Sequence, residues 1–288
     1  MELLISFNIL SDIQSPIVLV VFLFGVVVGS FLNVIVYRLG TGERMGNSRS
    51  RCFSCGTTLG FFELIPIFSF LFQKGKCRHC GSRISWQYPV VELVTGAVFL
   101  LVAGNVLQNF QFSIFNFSAE GGSASGGQSI FKLFYFFIIF SLLIAISVYD
   151  FRHKIIPNQL VYPFIVLSFF FPLIYNSRFI IQDFLNNVVS SAAAFTFFAS
   201  LWFFSHGRWM GFGDAKLALG IGFLLGPLQT LLAVILSFWI GTVIAVPVTL
   251  LRGGGLKTQI PFGPFLACAT FITWLWGEQI GMWYFSLF

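Results

Sequence analysis

The sequence predicts an all-α polytopic membrane protein with about eight transmembrane helices and one small cytoplasmic domain of the zinc-ribbon type. Of the 288 residues, 57% are hydrophobic and only 9% are charged, whereas a soluble domain usually carries about 25% charged residues. The mean hydropathy of +0.89 agrees with this composition. Two pairs of cysteines lie in the one long polar segment, which supplies the evidence for the small domain.

Seven apolar runs are long enough to be considered as membrane spans, each of which needs about 20 residues. They cover 16–37, 88–107, 133–149, 155–175, 184–205, 215–251 and 263–287. The run 215–251 would reach about 55 Å as one helix, against about 30 Å for the hydrocarbon core. Gly226 and Pro227 offer a turn inside it, so we split the run there and predict eight spans.

The basic residues indicate which loops face the cytoplasm. Only Lys132 and Arg178 fall on one side of the predicted membrane, which leaves fourteen of the sixteen basic residues on the other. The positive-inside rule then makes that other side cytoplasmic and places both termini outside. The cytoplasmic loops are 38–87, 150–154, 206–216 and 252–262. The first apolar run lacks a basic start and a small-residue cleavage site, so we expect a retained span and not a signal peptide.

This topology divides the chain into three parts. Residues 1–37 hold the first transmembrane helix, and residues 38–87 form a cytoplasmic tetracysteine zinc domain. Residues 88–288 form a membrane peptidase domain with about seven helices, interrupted by an outer Gly/Ser-rich loop at 109–130. A domain of about 50 residues is too small to hold much of a core without a staple.

The cysteine pattern supplies that staple. The knuckles "CFSC" and "CRHC" are separated by 21 residues, and each is followed by a glycine that permits a tight turn. Four thiolates at this spacing can close around a tetrahedral zinc ion. Disulfides do not persist in a reducing cytoplasm, so they become an alternative only if the topology is inverted; free thiols are a further alternative. The candidate ligands are Cys52, Cys55, Cys77 and Cys80.

Two acids stand out at the predicted cytoplasmic face. Asp150 ends the third span in "SVYDFRHKIIPN", and Asp214 begins the sixth in "GFGDAKLALG". In one interpretation each acid pairs with a neighbouring base, Arg152 or Lys216. In the other, the two carboxylates face each other and share a proton, since both cannot easily ionise at close range. Such a pair can act as base and acid in peptide hydrolysis.

The residues around Asp214 suggest support for a substrate groove. Gly211 and Gly213 permit a close approach of another backbone or a positive φ, and Lys216 lies one turn further along. We expect these three residues to line or support a groove. His153 and His206 lie near the same face, where lone histidines beside basic residues are more often interfacial than catalytic.

Several motifs in order resemble the type IV prepilin peptidases, the bifunctional leader peptidases and N-methyltransferases of type IV pilus and type II secretion systems. They begin with "GSFLNVIVYR" and continue with the two knuckles, which have "ELIPIFSFL" between them and "ISWQYPVVELVTG" after. Asp150 followed by "IIPN", then "GFGDAKLALG" and "IPFGPFLA", complete the match. The G-x-G-D motif is shared in outline with presenilin-like intramembrane proteases. Two departures are the Gly/Ser loop and Phe53, where a proline commonly follows the first cysteine.

The resemblance implies a function. It makes Asp150 and Asp214 the catalytic pair of an aspartic endopeptidase in the bacterial inner membrane, with no nucleic acid among its partners. Its substrates would be prepilins or pseudopilins, with a basic leader, a glycine before the scissile bond and an apolar helix after it. It also implies methylation of the new N-terminus from S-adenosylmethionine. The region of Glu92 and Gly96, together with the zinc loop, is the expected seat of that second activity.

Two other classes of function remain open from the residues alone. In a proton-coupled transporter, intramembrane acids carry protons, but these acids lie at one face and we see no inverted repeat of the kind transporters use. In a membrane-anchored zinc scaffold, the cysteine domain recruits a partner, and the acids have no role.

Overall fold

The computed structural model describes residues 16–39, 49–108, 123–175, 181–251 and 260–286. Within these ranges it confirms the all-α class, and bridges between extended segments are limited to two isolated pairs near the cysteines. The helices are α1 (Pro16–Arg38), α2 (Phe68–Phe72), α3 (Gln87–Gln108), α4 (Ser123–His153), α5 (Asn158–Tyr175), α6 (Ile181–Ser205), α7 (Phe212–Leu225), α8 (Pro227–Leu251) and α9 (Gly263–Phe285). A 3-10 turn at Phe61–Glu63 precedes α2.

Each of the eight predicted spans coincides with a helix. The predicted break falls where expected, because Gly226 ends α7 with a φ of +76° and Pro227 begins α8. Within the described ranges, five helices are long and apolar enough to cross a membrane: α1, α3, α4, α6 and α8. The 14 residues of α7 reach only about 21 Å, against a core of about 30 Å. The count of eight crossings therefore stays a prediction.

The outer Gly/Ser-rich loop is shorter than the sequence suggests. Residues 109–122 of the predicted loop 109–130 lie outside the described residues, and residues 123–130 form the first turns of α4. Adding residues to an existing apolar helix requires no new nucleation step. The polar and glycine-containing stretch can therefore continue the helix despite its composition.

The chain divides into an N-terminal unit, Met1–Phe137, and a C-terminal unit, Ile138–Phe288. In the N-terminal unit α3 packs against α1. A side chain at Gly25 would place its Cβ 2.8 Å from the Cα of Gly96, and one at Gly29 would meet the Cα of Glu92 at the same distance. Small residues of this kind allow close helix approach in membranes. Thus α3 groups with α1 and the cysteine domain, and the predicted boundary at residue 88 does not separate it from them.

In the C-terminal unit the short helix α7 is the buried centre. It packs against α5 and α6, and its side chains Leu217 and Ile221 are almost fully buried. A Cβ at Gly220 would meet the ring of Phe164, and a Cβ at Gly222 would collide with the backbone of Ser191. These glycines bring α7 against its neighbours, and they fix the position of its first turn, where Asp214 lies.

Candidate active site and metal module

Asp150 lies in the last turn of α4, at a sharp reversal of the chain. Lys154 has a φ of +57° and donates its N–H to the carbonyl of Asp150 at 2.7 Å, which ends the helix in the manner of a left-handed C-terminal residue. Pro157 then leads into α5 and accepts the N–H of Leu160 through its carbonyl. The side chain of Asp150 is only 4% exposed.

The carboxylate of Asp150 is held by the N-terminus of α9. The N–H of Gly263 donates to its Oδ2 at 3.0 Å, across 113 positions in sequence. Any side chain at Gly263 would place a Cβ 2.6 Å from that same oxygen. The positive end of a helix dipole favours an anion here. Gly263 had no predicted role; a Gly-Pro pair at a helix start indicates an N-terminus but not the acid that it meets.

Asp214 is supported in an analogous way by its own helix. It is the third residue of α7, it is 7% exposed, and its Oδ2 accepts the N–H of Gly211 at 3.2 Å. This contact is the reach-back half of a capping box. The charge of Asp150 acts electrostatically on Asp214. In the C-terminal unit, the carboxylate of Asp150 thus meets the N-terminus of α9 and that of Asp214 the N-terminus of α7, and each is held by one backbone donor.

Lys216 contacts α5. Its Nζ donates to Oδ1 of Asn158 at 2.8 Å and to the hydroxyl of Tyr162 at 3.4 Å. The ammonium also lies 5.3 Å from the ring centroids of Tyr162 and Phe212. These hydrogen bonds join the start of α7 to the start of α5, so Lys216 is not the local ion-pair partner of Asp214 that one interpretation of the sequence required.

The two glycines before Asp214 have different surroundings, and only Gly213 makes a close contact. Gly211 has a φ of −77°, which any residue adopts, and a Cβ there would make ordinary contacts. The space beside Gly213 is filled by the protein itself, since a Cβ would lie 2.8 Å from that of Ile156. Gly213 therefore seats the loop between α4 and α5 against α7, and the room beside it is not open to a substrate backbone.

The four cysteines of the N-terminal unit converge as a metal site would require. Their Sγ atoms all lie within 4.8 Å of one another, and those of Cys52 and Cys80 are 3.8 Å apart. Zinc–sulfur bonds of about 2.3 Å in a tetrahedron require sulfurs about 3.8 Å apart. Residues 49–86, which we call the metal module, thus hold a donor set that fits zinc.

The local backbone prepares the knuckles for a metal. Gly56 and Gly81, with φ of +72° and +70°, donate their N–H groups to the carbonyls of Cys52 and Cys77 at 2.9 Å. The predicted turn role of both glycines is confirmed by these angles.

The first knuckle favours the thiolate form. Hydrogen bonds from the backbone N–H groups of Cys55 and then Ser54, with a further contribution from the hydroxyl of Ser82, lower the pKa of Cys52 from 9.0 to about 6. A thiolate is the form that binds a metal, so the donors in this knuckle suit metal coordination.

The residues expected to hold S-adenosylmethionine have other contacts. Glu92 is buried and accepts the N–H of Ile67, in the metal module, at 2.7 Å. Gly96 faces α1, and a Cβ there would lie 2.7 Å from the ring of Phe22 and 2.9 Å from Val26. Close helix packing accounts for Gly96 and leaves no room for a ligand at its missing side chain.

The fold is that of a polytopic α-helical membrane protein, and the carboxylates of two buried acids lie at helix N-termini in its C-terminal unit. The chain belongs to the type IV leader peptidase family. A model of that family matches residues 137–246, and a model of the Bacterial Peptidase A24 N-terminal domain matches residues 23–106. The two matches include the acids and the cysteines respectively.

Relatives along nearly the whole chain support this assignment. A protein of Bacillus subtilis (strain 168) named prepilin leader peptidase/N-methyltransferase is 33% identical over 270 residues, covering 93% of this chain and 98% of its own. Proteins of the same name from Aeromonas hydrophila and Pseudomonas aeruginosa are each 30% identical, with 93% and 91% of both chains covered. No solved structure matches the chain.

Proposed function

We propose that this protein is an aspartic endopeptidase of the bacterial inner membrane that removes the basic leader of type IV prepilins or pseudopilins, and that it also methylates the new N-terminal residue. The observation that carries the peptidase assignment is the pair Asp150 and Asp214, buried, interacting, and each held by a helix N-terminus. The names of the relatives support both activities.

The chemistry follows from a pair that shares one proton. The ionised carboxylate takes a proton from water, and the hydroxyl adds to the carbonyl carbon of the scissile bond while the protonated carboxyl donates to the carbonyl oxygen. The intermediate then collapses, the C–N bond breaks, and the amine leaves with a proton from the pair. The backbone donors act on Oδ2 of each acid, which we propose leaves Oδ1 to face water and substrate.

The remaining residues of the site position this pair. Lys216 ties the start of α7 to Asn158 in α5, and Gly213 seats Ile156 of the α4–α5 loop. We propose that both act by fixing the first turn of α7. The basic loops favour a cytoplasmic position for this end of the helices, where we propose that the leader of a membrane-anchored prepilin is presented.

The residues fit the two expected cofactors, zinc and S-adenosylmethionine, to different extents. Zinc would be held by Cys52, Cys55, Cys77 and Cys80, where it would supply the staple that a small module needs. S-adenosylmethionine would supply the methyl group, but the contacts of Gly96 do not fit a cofactor site at that residue. We therefore assign no residue of α3 to methyl transfer.

The peptidase assignment is tested by the conservative variants Asp150→Asn and Asp214→Asn. Each keeps the shape of the side chain but removes the shared charge, so we expect loss of leader cleavage when purified protein meets a prepilin in vesicles, with the variants still folded. Glu278→Gln, at an exposed acid of α9, is the matched control and should cleave normally. Full cleavage by both aspartate variants would refute the mechanism.

Mass spectrometry of the pilin N-terminus reports both activities in one measurement. Leader loss changes the sequence at the terminus, and methylation adds one methyl group to the residue exposed. Cleavage without the added methyl, in the presence of S-adenosylmethionine, would leave the peptidase proposal intact and refute the methyltransferase one.

A further inference from the structure

The metal module carries an apolar surface that nothing described in the structure covers. Its helix α2 and the preceding 3-10 turn expose large side chains where a soluble domain would hide them. Phe61, Phe62 and Phe72 are 78%, 76% and 81% exposed, and exposed apolar clusters of this kind mark interaction sites. We call this the module apolar surface; it consists of Phe61, Phe62, Phe68, Leu71 and Phe72.

The position of this surface along α3 places it at membrane depth. The backbone between the 3-10 turn and α2 is bonded to Glu92 through the N–H of Ile67. Glu92 is the sixth residue of α3, about 7.5 Å from the helix start, and it lies inside the candidate span Gln87–Val106. The candidate span of 20 residues is about as long as the hydrocarbon core is thick, about 30 Å. The apolar segment bonded to Glu92 is therefore close to the start of this span, next to the boundary between the hydrocarbon core and the headgroup layer.

The hydrogen bond between Ile67 and Glu92 uses a backbone N–H in an unusual conformation. Ile67 has a φ of +61°, a value that is an outlier for a β-branched residue. The acid within the segment, Glu63, turns its Oε2 onto the N–H of Gly60 at 2.8 Å, which lowers the cost of placing a carboxylate near lipid. The segment is therefore held at this depth by specific contacts.

Aromatic contacts hold the first knuckle at the same level. Phe53 packs against Tyr37 of α1 with ring centroids 5.3 Å apart, and Tyr37 stacks on Tyr88 of α3 at 5.1 Å. Trp86, immediately before α3, is exposed and packs on Phe70. Tyr and Trp at helix ends form the aromatic belt of membrane proteins, so Phe53, a departure from the family pattern, has a role here.

The positive charge of the metal module favours an anionic partner. It carries six basic residues, all exposed, and one acid, Glu63, so these side chains sum to 6 − 1 = +5. A zinc ion on four thiolates contributes about −2, which leaves the loaded module at about +3. Basic side chains flanking an apolar surface are typical of elements that lie on anionic lipid. A basic prepilin leader would be repelled by the same charge. The basic residues are Arg49, Arg51, Lys74, Lys76, Arg78 and Arg83.

We propose that the metal module is an interfacial membrane element. Its module apolar surface lies in the headgroup layer of the leaflet next to it, and its basic residues bind the phosphates of anionic lipids. The site is thus a lipid-binding surface, separate from the acid pair, and it does not depend on the peptidase assignment.

Photo-crosslinking of the full chain tests this placement. Phe61, Phe72 and the exposed His79 are replaced one at a time by p-benzoylphenylalanine in protein reconstituted into phosphatidylethanolamine and phosphatidylglycerol vesicles, and zinc content confirms that each variant is folded. We expect lipid adducts at positions 61 and 72, severalfold above those at 79. In Lys74→Gln/Lys76→Gln protein, enrichment of phosphatidylglycerol in the adducts should fall toward its share in the vesicle.

Two outcomes would contradict the proposed lipid-binding surface. Lipid adducts at positions 61 and 72 no higher than at 79 would overturn the proposal. So would adducts at these positions that form with an added prepilin in place of lipid, because the surface would then belong to substrate binding. Leader cleavage by the same protein is scored separately, so failure here and failure of the peptidase assignment remain distinguishable.

Discussion

At the scale of single residues, the acid pair depends on main-chain donors. Burying a carboxylate without compensation costs several kcal/mol, and the Gly263 and Gly211 N–H groups supply charge-assisted hydrogen bonds to Asp150 and Asp214. This arrangement favours glycine at 263, because a Cβ there would lie 2.6 Å from Oδ2 of Asp150. This preference leads to a specific prediction.

Gly263→Ala should inactivate the peptidase without unfolding it. The new Cβ would lie 2.6 Å from Oδ2 of Asp150, so the carboxylate must move by part of an ångström or more. Misplacement by about 1 Å can cost about 100-fold in rate, and we expect a loss of that order in cleavage of a prepilin. Gly281→Ala in the same helix, where a Cβ would be 3.7 Å from Leu228, should cleave normally; equal rates would contradict this role.

The sequence singled out two acids as candidates but did not predict what surrounds them. Asp150 and Asp214 could be selected because few acids lie at membrane edges, and charge bias put both at one face. The contact of Gly263 spans 113 positions and uses a backbone atom, so no side-chain pattern announces it. Likewise, Gly213 is next to an acid in sequence, yet its space is taken by Ile156 from another helix connection.

At the scale of helices, α7 shows how a short element is fixed within the C-terminal unit. It is too short to span a bilayer alone, and small residues let α5 and α6 approach it closely. The sequence predicted its end at Gly226 from local turn chemistry. It did not predict that α3 groups with α1, because that packing depends on glycines in two separate helices meeting face to face.

Gly220→Ala and Gly222→Ala should differ in how they can be rescued. The Gly220 Cβ would meet the Phe164 ring at 2.5 Å, whereas the Gly222 Cβ would meet the backbone nitrogen of Ser191 at 2.6 Å. Overpacking costs about 1–3 kcal/mol, and we expect both variants to unfold at lower temperature in detergent. Phe164→Leu should partly restore the first, while Ser191→Ala should not restore the second. Rescue of the second would contradict the backbone clash.

At the scale of the whole molecule, the candidate metal ligands and the two acids lie in different units. The cysteines belong to the N-terminal unit and the acids to the C-terminal unit. The convergence of four sulfurs could be predicted from spacing alone, because two knuckles leave few other arrangements. The depth of the metal module could not be predicted from the sequence, because it follows from one hydrogen bond, between the N–H of Ile67 and the carboxylate of Glu92.

Zinc content should depend on pH through the knuckle thiolates. The pKa of Cys52 is about 6, below its ordinary 9.0, so the folded module favours the thiolate at neutral pH and loses that contribution as the pH falls through about 6. Since metal ligands must be deprotonated, we expect bound zinc, measured by elemental analysis, to fall as the medium is acidified, at a pH below the metal-free pKa because the metal itself holds the thiolates. Cys52→Ser should lower zinc at neutral pH, whereas Cys268→Ser should not. Full zinc content in the Cys52→Ser protein would contradict the assignment.

The hydrogen bond from Gly263 of α9 to Asp150 has a consequence for biosynthesis. A ribosome that has translated the chain as far as α8 has already made both aspartates, but not the backbone group that holds the first of them. The hydrogen bond that holds Asp150 can therefore form only after α9 itself has been synthesised. Chains that stop before α9 would carry both acids without this backbone donor, so we expect such truncated chains to lack leader cleavage.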